Sequence, residues 1–128
     1  MAGVKNGIVY SESVAGYGYY FTWEAYGQKP TGEKIVRWKL ISDCYGSYSQ
    51  FHLSTNLYDE LGNLLEVEGI SSWKMYPNFS DGEMIDNGEF VCPLNTNSIS
   101  VEGYCAINGG YELGIAGAWE ITDEYIPS

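Results

Sequence analysis

The chain has 128 residues, with 17 acidic against 6 basic side chains, a formal net charge of −11 and a single arginine, Arg37. That balance argues against a nucleic-acid partner, because phosphate contacts need clustered Lys and Arg, and it would repel an anionic membrane. The length suits one domain, residues 1–128, and sixteen glycines, twelve tyrosines and only four prolines point to many short strands.

Taken in order, residues 7–14 read as a first strand, closed by Gly16 and Gly18. Tyr17, Tyr19, Phe21, Trp23 and Ala25 then alternate with Thr22, Glu24 and Tyr26, the period of a strand with one apolar face. Residues 27–32 carry turn chemistry around Pro30. Over 34–43, Val36, Trp38 and Leu40 point inward while Arg37 and Lys39 point to water. Residues 44–49 read as a Gly-, Ser- and Tyr-rich loop. The strand over 50–58 follows, with Phe51, Leu53, Thr55 and Leu57 inward.

Residues 59–63 form a hairpin turn before a short strand at 64–67. Residues 69–87 are the least regular, interleaving Trp73, Tyr76, Pro77 and Phe79 with Ser, Asn and Asp. A short strand at 89–94 puts Phe90 and Cys92 on one side and Val91 on the other. The clearest element comes last, in two period-two arms joined by Asn108-Gly109-Gly110. Ile99, Val101, Cys105 and Ile107 line the first arm; Tyr111, Leu113, Ile115, Trp119 and Ile121 line the second. Asn and Gly accept the positive φ of a primed hairpin turn. No segment carries helical periodicity. The pattern predicts an all-β fold, an antiparallel β-sandwich of about seven to nine strands, immunoglobulin-like or jelly-roll-like.

Cys44, Cys92 and Cys105 are odd in number and match no metal spacing, so reduced thiols are expected, with Cys105 on an apolar face. His52 is the only histidine and falls on an outer face without a Gly-x-Ser-x-Gly elbow, so no catalytic role is assigned to it. Glu24, Glu102, Glu112 and Glu120 also fall on outer faces, and a glycosidase would need two of them flanking a sugar. Asp81, Glu83, Asp86, Asn87 and Glu89 form an oxygen-rich stretch that departs from an EF-hand loop; turn chemistry accounts for it without Ca²⁺. No catalytic residue, metal site or cofactor is therefore expected.

Two features bear on binding. Trp73 and Tyr76 are candidate stacking residues for a glycan, although a loop covering one end of a sandwich would use the same residues. On the last strand, Gly114, Ala116 and Ala118 leave the outer face small and apolar between Glu112 and Glu120, a candidate interface. The alternative is that the Tyr-rich segment 10–20 covers that face.

The segments Tyr19-Tyr-Phe-Thr-Trp23, Ile35-Val-Arg-Trp-Lys-Leu40 and Gly117-Ala-Trp-Glu-Ile-Thr122 resemble the immunoglobulin-like modules of bacteriophage virion proteins. The likeness covers about a third of the chain. Asn95-Thr-Asn97 stands where that family carries a polar Asn-Ala-Asp-Gly turn, and no Cys precedes Trp38 as in an antibody domain. The resemblance implies a non-enzymatic building block of a phage tail or capsid. Its partners would be other virion proteins or itself, it would be assembled in the host cytoplasm, and it would have no nucleic-acid or membrane partner. A carbohydrate-binding β-sandwich module is the alternative, and a small hydrolase ranks third.

Overall fold

The computed structural model describes residues 4–28, 33–72, 76–107 and 111–121. Its strands are β1 (Val4–Tyr10), β2 (Tyr19–Gln28), β3 (Glu33–Ser42), β4 (Gly46–Tyr58), β5 (Leu64–Ser72), β6 (Tyr76–Phe79), β7 (Met84–Cys92), β8 (Ser98–Ile107) and β9 (Tyr111–Glu120). One layer has the order β1-β2-β3-β7; the other has β5-β4-β8-β9, with β6 also on β4. Every pairing is antiparallel. β3 beside β7 in one layer, and β4-β8-β9 in the other, are strand adjacencies that an immunoglobulin-like sandwich also has between B and E and among C, F and G, but no strand lies beyond β7 in the D position among the described residues. The meander β1-β2-β3 adds an edge strand to that layer.

The alternating apolar positions meet between the layers. Tyr19, Phe21, Trp23 and Ala25 of β2, with Val36, Trp38 and Leu40 of β3, are buried against Phe51, Leu53, Leu57, Ile99, Val101, Leu113 and Ile115. Trp119 from β9 stacks on Trp23 with ring centroids 4.5 Å apart, and Phe21 stacks on Trp38 at 6.1 Å. One row of the first layer makes room for the indoles. Gly7 pairs with Trp23, Trp23 with Trp38, and Trp38 with Gly88. A Cβ at Gly7 would stand 2.8 Å from the Trp23 ring, and one at Gly88 would stand 2.6 Å from the Trp38 ring. Each indole thus lies over the glycine of the strand beside it, an aromatic cover for a residue with no side chain of its own.

Several boundaries differ from the sequence expectation. β1 starts at Val4 and stops at Tyr10; within 11–18, Val14 bridges Tyr17 around a turn with positive φ at Ala15 and Gly16. Gly46 to Ser49 belongs to β4, not to a loop. Tyr48 faces Ile107 and Ser49 faces Ala106, yet His52 faces Tyr104, so two residues of β4 oppose one of β8. That bulge shifts the parity and lets Tyr48 and Phe51 both face the core, a pattern that strict alternation excludes. Within 69–87 the described residues include three pieces of strand: β5 runs to Ser72, β6 spans Tyr76–Phe79 and β7 starts at Met84. In β7 the register shifts opposite Leu40 and Ile41, so Ile85 is buried although Phe90 and Cys92 set the opposite parity. The predicted turn at 108–110 lies outside the described residues.

Polar groups tie the layers together. Tyr19 Oη donates to the Leu113 carbonyl at 3.0 Å, and Tyr48 Oη donates to the Gly18 carbonyl at 2.5 Å. Lys34 shares the inward parity of Val36 and is buried, with Nζ donating to the carbonyls of Thr96 at 3.1 Å and Ile121 at 3.3 Å. These bonds satisfy an ammonium that burial would otherwise penalise heavily.

Candidate functional site

Outer faces are what this fold presents, so the candidate residues are best placed by layer. The outer face of the five-stranded sheet carries His52, Ser54 and Asn56 of β4, Ser100, Glu102 and Tyr104 of β8, and the even positions of β9. Ala116 stands opposite Glu102 and Ala118 opposite Ser100, both alanines exposed. Asn56 Nδ2 donates to Ser100 Oγ and to Glu102 Oε1, each at 3.2 Å, which flattens the neighbouring polar side chains onto the sheet. Gly114 is engaged within the chain. Its amide donates to Glu12 Oε1 at 2.9 Å, and its carbonyl accepts from the Glu12 amide at 2.8 Å. A Cβ there would stand 2.6 Å from that carboxylate oxygen, so only glycine lets Glu12 reach the backbone. Segment 10–20 therefore holds the edge of β9 through Glu12, while Ala116 and Ala118 stay open to solvent.

Trp73 lies outside the described residues. Tyr76 opens β6, and its side chain likewise lies outside them.

His52 is half-buried, its ring 5.1 Å from that of Tyr104. Glu24 stands on the outer face of the other layer from Glu102, Glu112 and Glu120, so it cannot flank a bond together with any of them. The oxygen-rich stretch is used locally. Glu83 Oε1 accepts from the Ser80 amide at 2.8 Å, and Glu89 pairs with Arg37 at 3.0 Å between two exposed side chains. Among the described residues no group of three His, Cys, Asp or Glu side chains is arranged to hold a metal.

The outer face of the four-stranded sheet has a depression of about 470 Å³ that sequence reasoning missed. Thr22 forms part of its floor, Asn6 and Ile8 stand on one side, and Arg37 and Lys39 stand on the other. Tyr10 and Tyr20, 5.3 Å apart, continue the same face along β1 and β2. Short Thr22 sits between long side chains only once β1, β2 and β3 are put in register, a pairing that no single strand's sequence states. A second depression of about 500 Å³ lies at one end of the sandwich against Lys34, Leu61, Leu94 and Thr96. Thr96 Oγ1 is buried there with no hydrogen-bond partner among the described residues.

All three cysteines are free; Cys92 and Cys105 are buried and Cys44 is half-buried. Burial pushes the Cys92 thiol up to about 12, with the Lys34 charge pulling the other way. Burial also pushes Cys105 up to about 12 against a lowering hydrogen bond with Tyr19. The Tyr19 and Tyr48 hydroxyls are raised above the usual tyrosine value, first by burial and next by their cysteine neighbours. Such thiols are poor nucleophiles.

No family model matches the chain, and no curated protein matches it. Among solved structures it is similar to the crystal structure described as "the Putative ApaA Protein from Bordetella pertussis". The two are 13% identical over 95% of this chain and 93% of that one, with a TM-score of 0.46. At that distance neither fold nor function transfers.

Proposed function

We propose that the chain is a non-enzymatic structural or accessory module of a virus particle, a phage tail or capsid, acting through protein–protein contacts. The observation that carries this reading is the exposed pair Ala116 and Ala118 on a flat outer face whose neighbours are Ser54, Asn56 and Ser100. Side chains this short let another backbone or ring approach closely. Glu112 and Glu120 at the ends of β9 supply a polar rim. The partners are other virion proteins or a second copy. Ala116→Glu is the test: the variant should keep its thermal melt and run as a smaller species by light scattering, or lose co-purification with particles. A wild type that stays monomeric and absent from purified particles would end the reading.

A carbohydrate-binding module is the second reading, favoured by the depression over Thr22 with the Tyr10–Tyr20 pair beside it. Tyrosine rings, a hydroxyl, an amide and two cations are the groups that hold sugars. A glycan array separates the two readings: Thr22→Trp would abolish a sugar signal and leave light scattering unchanged.

A further inference from the structure

β5 is unlike the other edge strands. It ends the order β5-β4-β8-β9, so one of its backbone edges is unpaired among the described residues. From Leu64 to Val67 it is also exposed on both faces. Leu64 is 56% exposed, Leu65 38% and Val67 52%, and Leu61 in the preceding turn is 86% exposed. An apolar edge of this kind attracts another strand, and folded proteins normally blunt it.

The turn that presents β5 is fixed. Asp59 Oδ1 accepts from the amides of Leu61 at 2.9 Å and Asn63 at 2.8 Å, while Gly62 supplies a φ of 86°. These bonds to Asn63 and Leu61 hold the Asp59 carboxyl below its usual value. The edge is therefore preorganised rather than frayed.

The blunting that is present is charged. Glu66 stands opposite Leu57 and Glu68 opposite Thr55, both on the core-facing side of β4. The two carboxylates sit at the open side between the layers, close enough for their charge to reach Cys92 on β7. A second copy laid antiparallel along β5 would bring its own Glu66 and Glu68 to the same side, in a chain that already carries −11. Like charges on adjacent strands oppose pairing. This edge rejects its own kind and favours the opposite sign.

We propose that β5 is a docking edge for an extended segment of another protein, one that alternates basic and apolar residues and adds as a strand. Main-chain hydrogen bonds to the free edge hold it. Its basic side chains face Glu66 and Glu68, and its apolar ones lie beside Leu64 and Val67. The surface is distinct from the Ala116 face, so either can fail without the other.

Three ten-residue synthetic peptides test this on the full chain: one alternates lysine with valine, one glutamate with valine, and one lysine with glycine. The lysine–valine peptide should bind about tenfold or more tightly than the other two. It should slow amide exchange across residues 64–69, and weaken as salt rises. Glu66→Lys combined with Glu68→Lys should reverse the preference to the glutamate–valine peptide. The native peptide ranking and the exchange map decide the matter even if that variant fails to fold. Equal binding of lysine–glycine without protection of β5 would reduce the effect to net charge and overturn the proposal. So would no binding, or protection confined to another strand. A native dimer whose β5 amides are freed by Val67→Lys would overturn it in favour of a second copy.

Discussion

Gly103 is a residue whose absence of a side chain decides its role. Its φ is 140°, and a Cβ there would collide with the carbonyl oxygen of His52 and stand 2.8 Å from Leu53 Cα. Both obstacles are backbone and cannot rotate away. Gly103→Ala should cost about 3 kcal/mol or more in urea melts, whereas Gly69→Ala on β5, with nothing near the added methyl, should stay within about 0.5 kcal/mol. Similar losses from the two would mean the β4–β8 bulge yields. Trp38 poses the opposite case: it fills space above Gly88 and stacks on Phe21. Trp38→Ala should cost about 3–5 kcal/mol, and a loss under about 1 kcal/mol would show that its neighbours collapse into the gap.

Among the elements, those that kept strict alternation were legible and those that broke it were not. β2, β3, β8 and β9 could be read from period two, down to the burial of Trp23, Trp38 and Cys105, although Tyr111, expected inward at the start of β9, is exposed. β4 and β7 each carry an inserted residue, so Tyr48 and Ile85 are buried at positions where alternation puts them outside. A bulge is a relation between two strands, and one strand's sequence does not announce it. β5 reads as too short a strand from the sequence because its core-facing positions are Glu66 and Glu68, residues typical of a solvent face. Of the candidate site, Ala116 and Ala118 emerged exposed as their parity required. The Thr22 depression was invisible because three strands must be aligned to form it. Glu12 was equally hidden, since its partner lies 102 residues away. Glu12→Ala removes the carboxylate that holds the Gly114 amide. It should cost about 1 kcal/mol and speed exchange of that amide selectively. Unchanged exchange at Gly114 would mean that the Glu12 amide alone, bonded to the Gly114 carbonyl, closes this edge.

For the whole molecule, the bonds that join the layers set how stability depends on pH. Tyr19, Tyr48 and Cys105 lie between the sheets, and Cys92 lies on the core side of β7, all with protons held more tightly than in an unfolded chain. Above the ordinary thiol value of 9.0 the unfolded chain releases its cysteine protons while the folded chain keeps them up to about 12. Tyrosine protons follow above 10.0. The unfolded state then binds fewer protons than the folded one, so stability must fall as pH rises. These groups leave stability level between pH 7 and 8.5. Their contribution then declines from pH 9 by about 1.4 kcal/mol per pH unit for each group whose unfolded form has ionised. Urea midpoints measured from pH 7 to 11 check this. Cys105→Ala separates packing from titration: the lost sulfur lowers the whole curve, but the missing proton reduces the slope between pH 9 and 11 by one group. A wild-type profile that stays level to pH 10.5 would mean that water reaches the thiols in the folded state and that the seam between the sheets opens more readily than its hydrogen bonds imply.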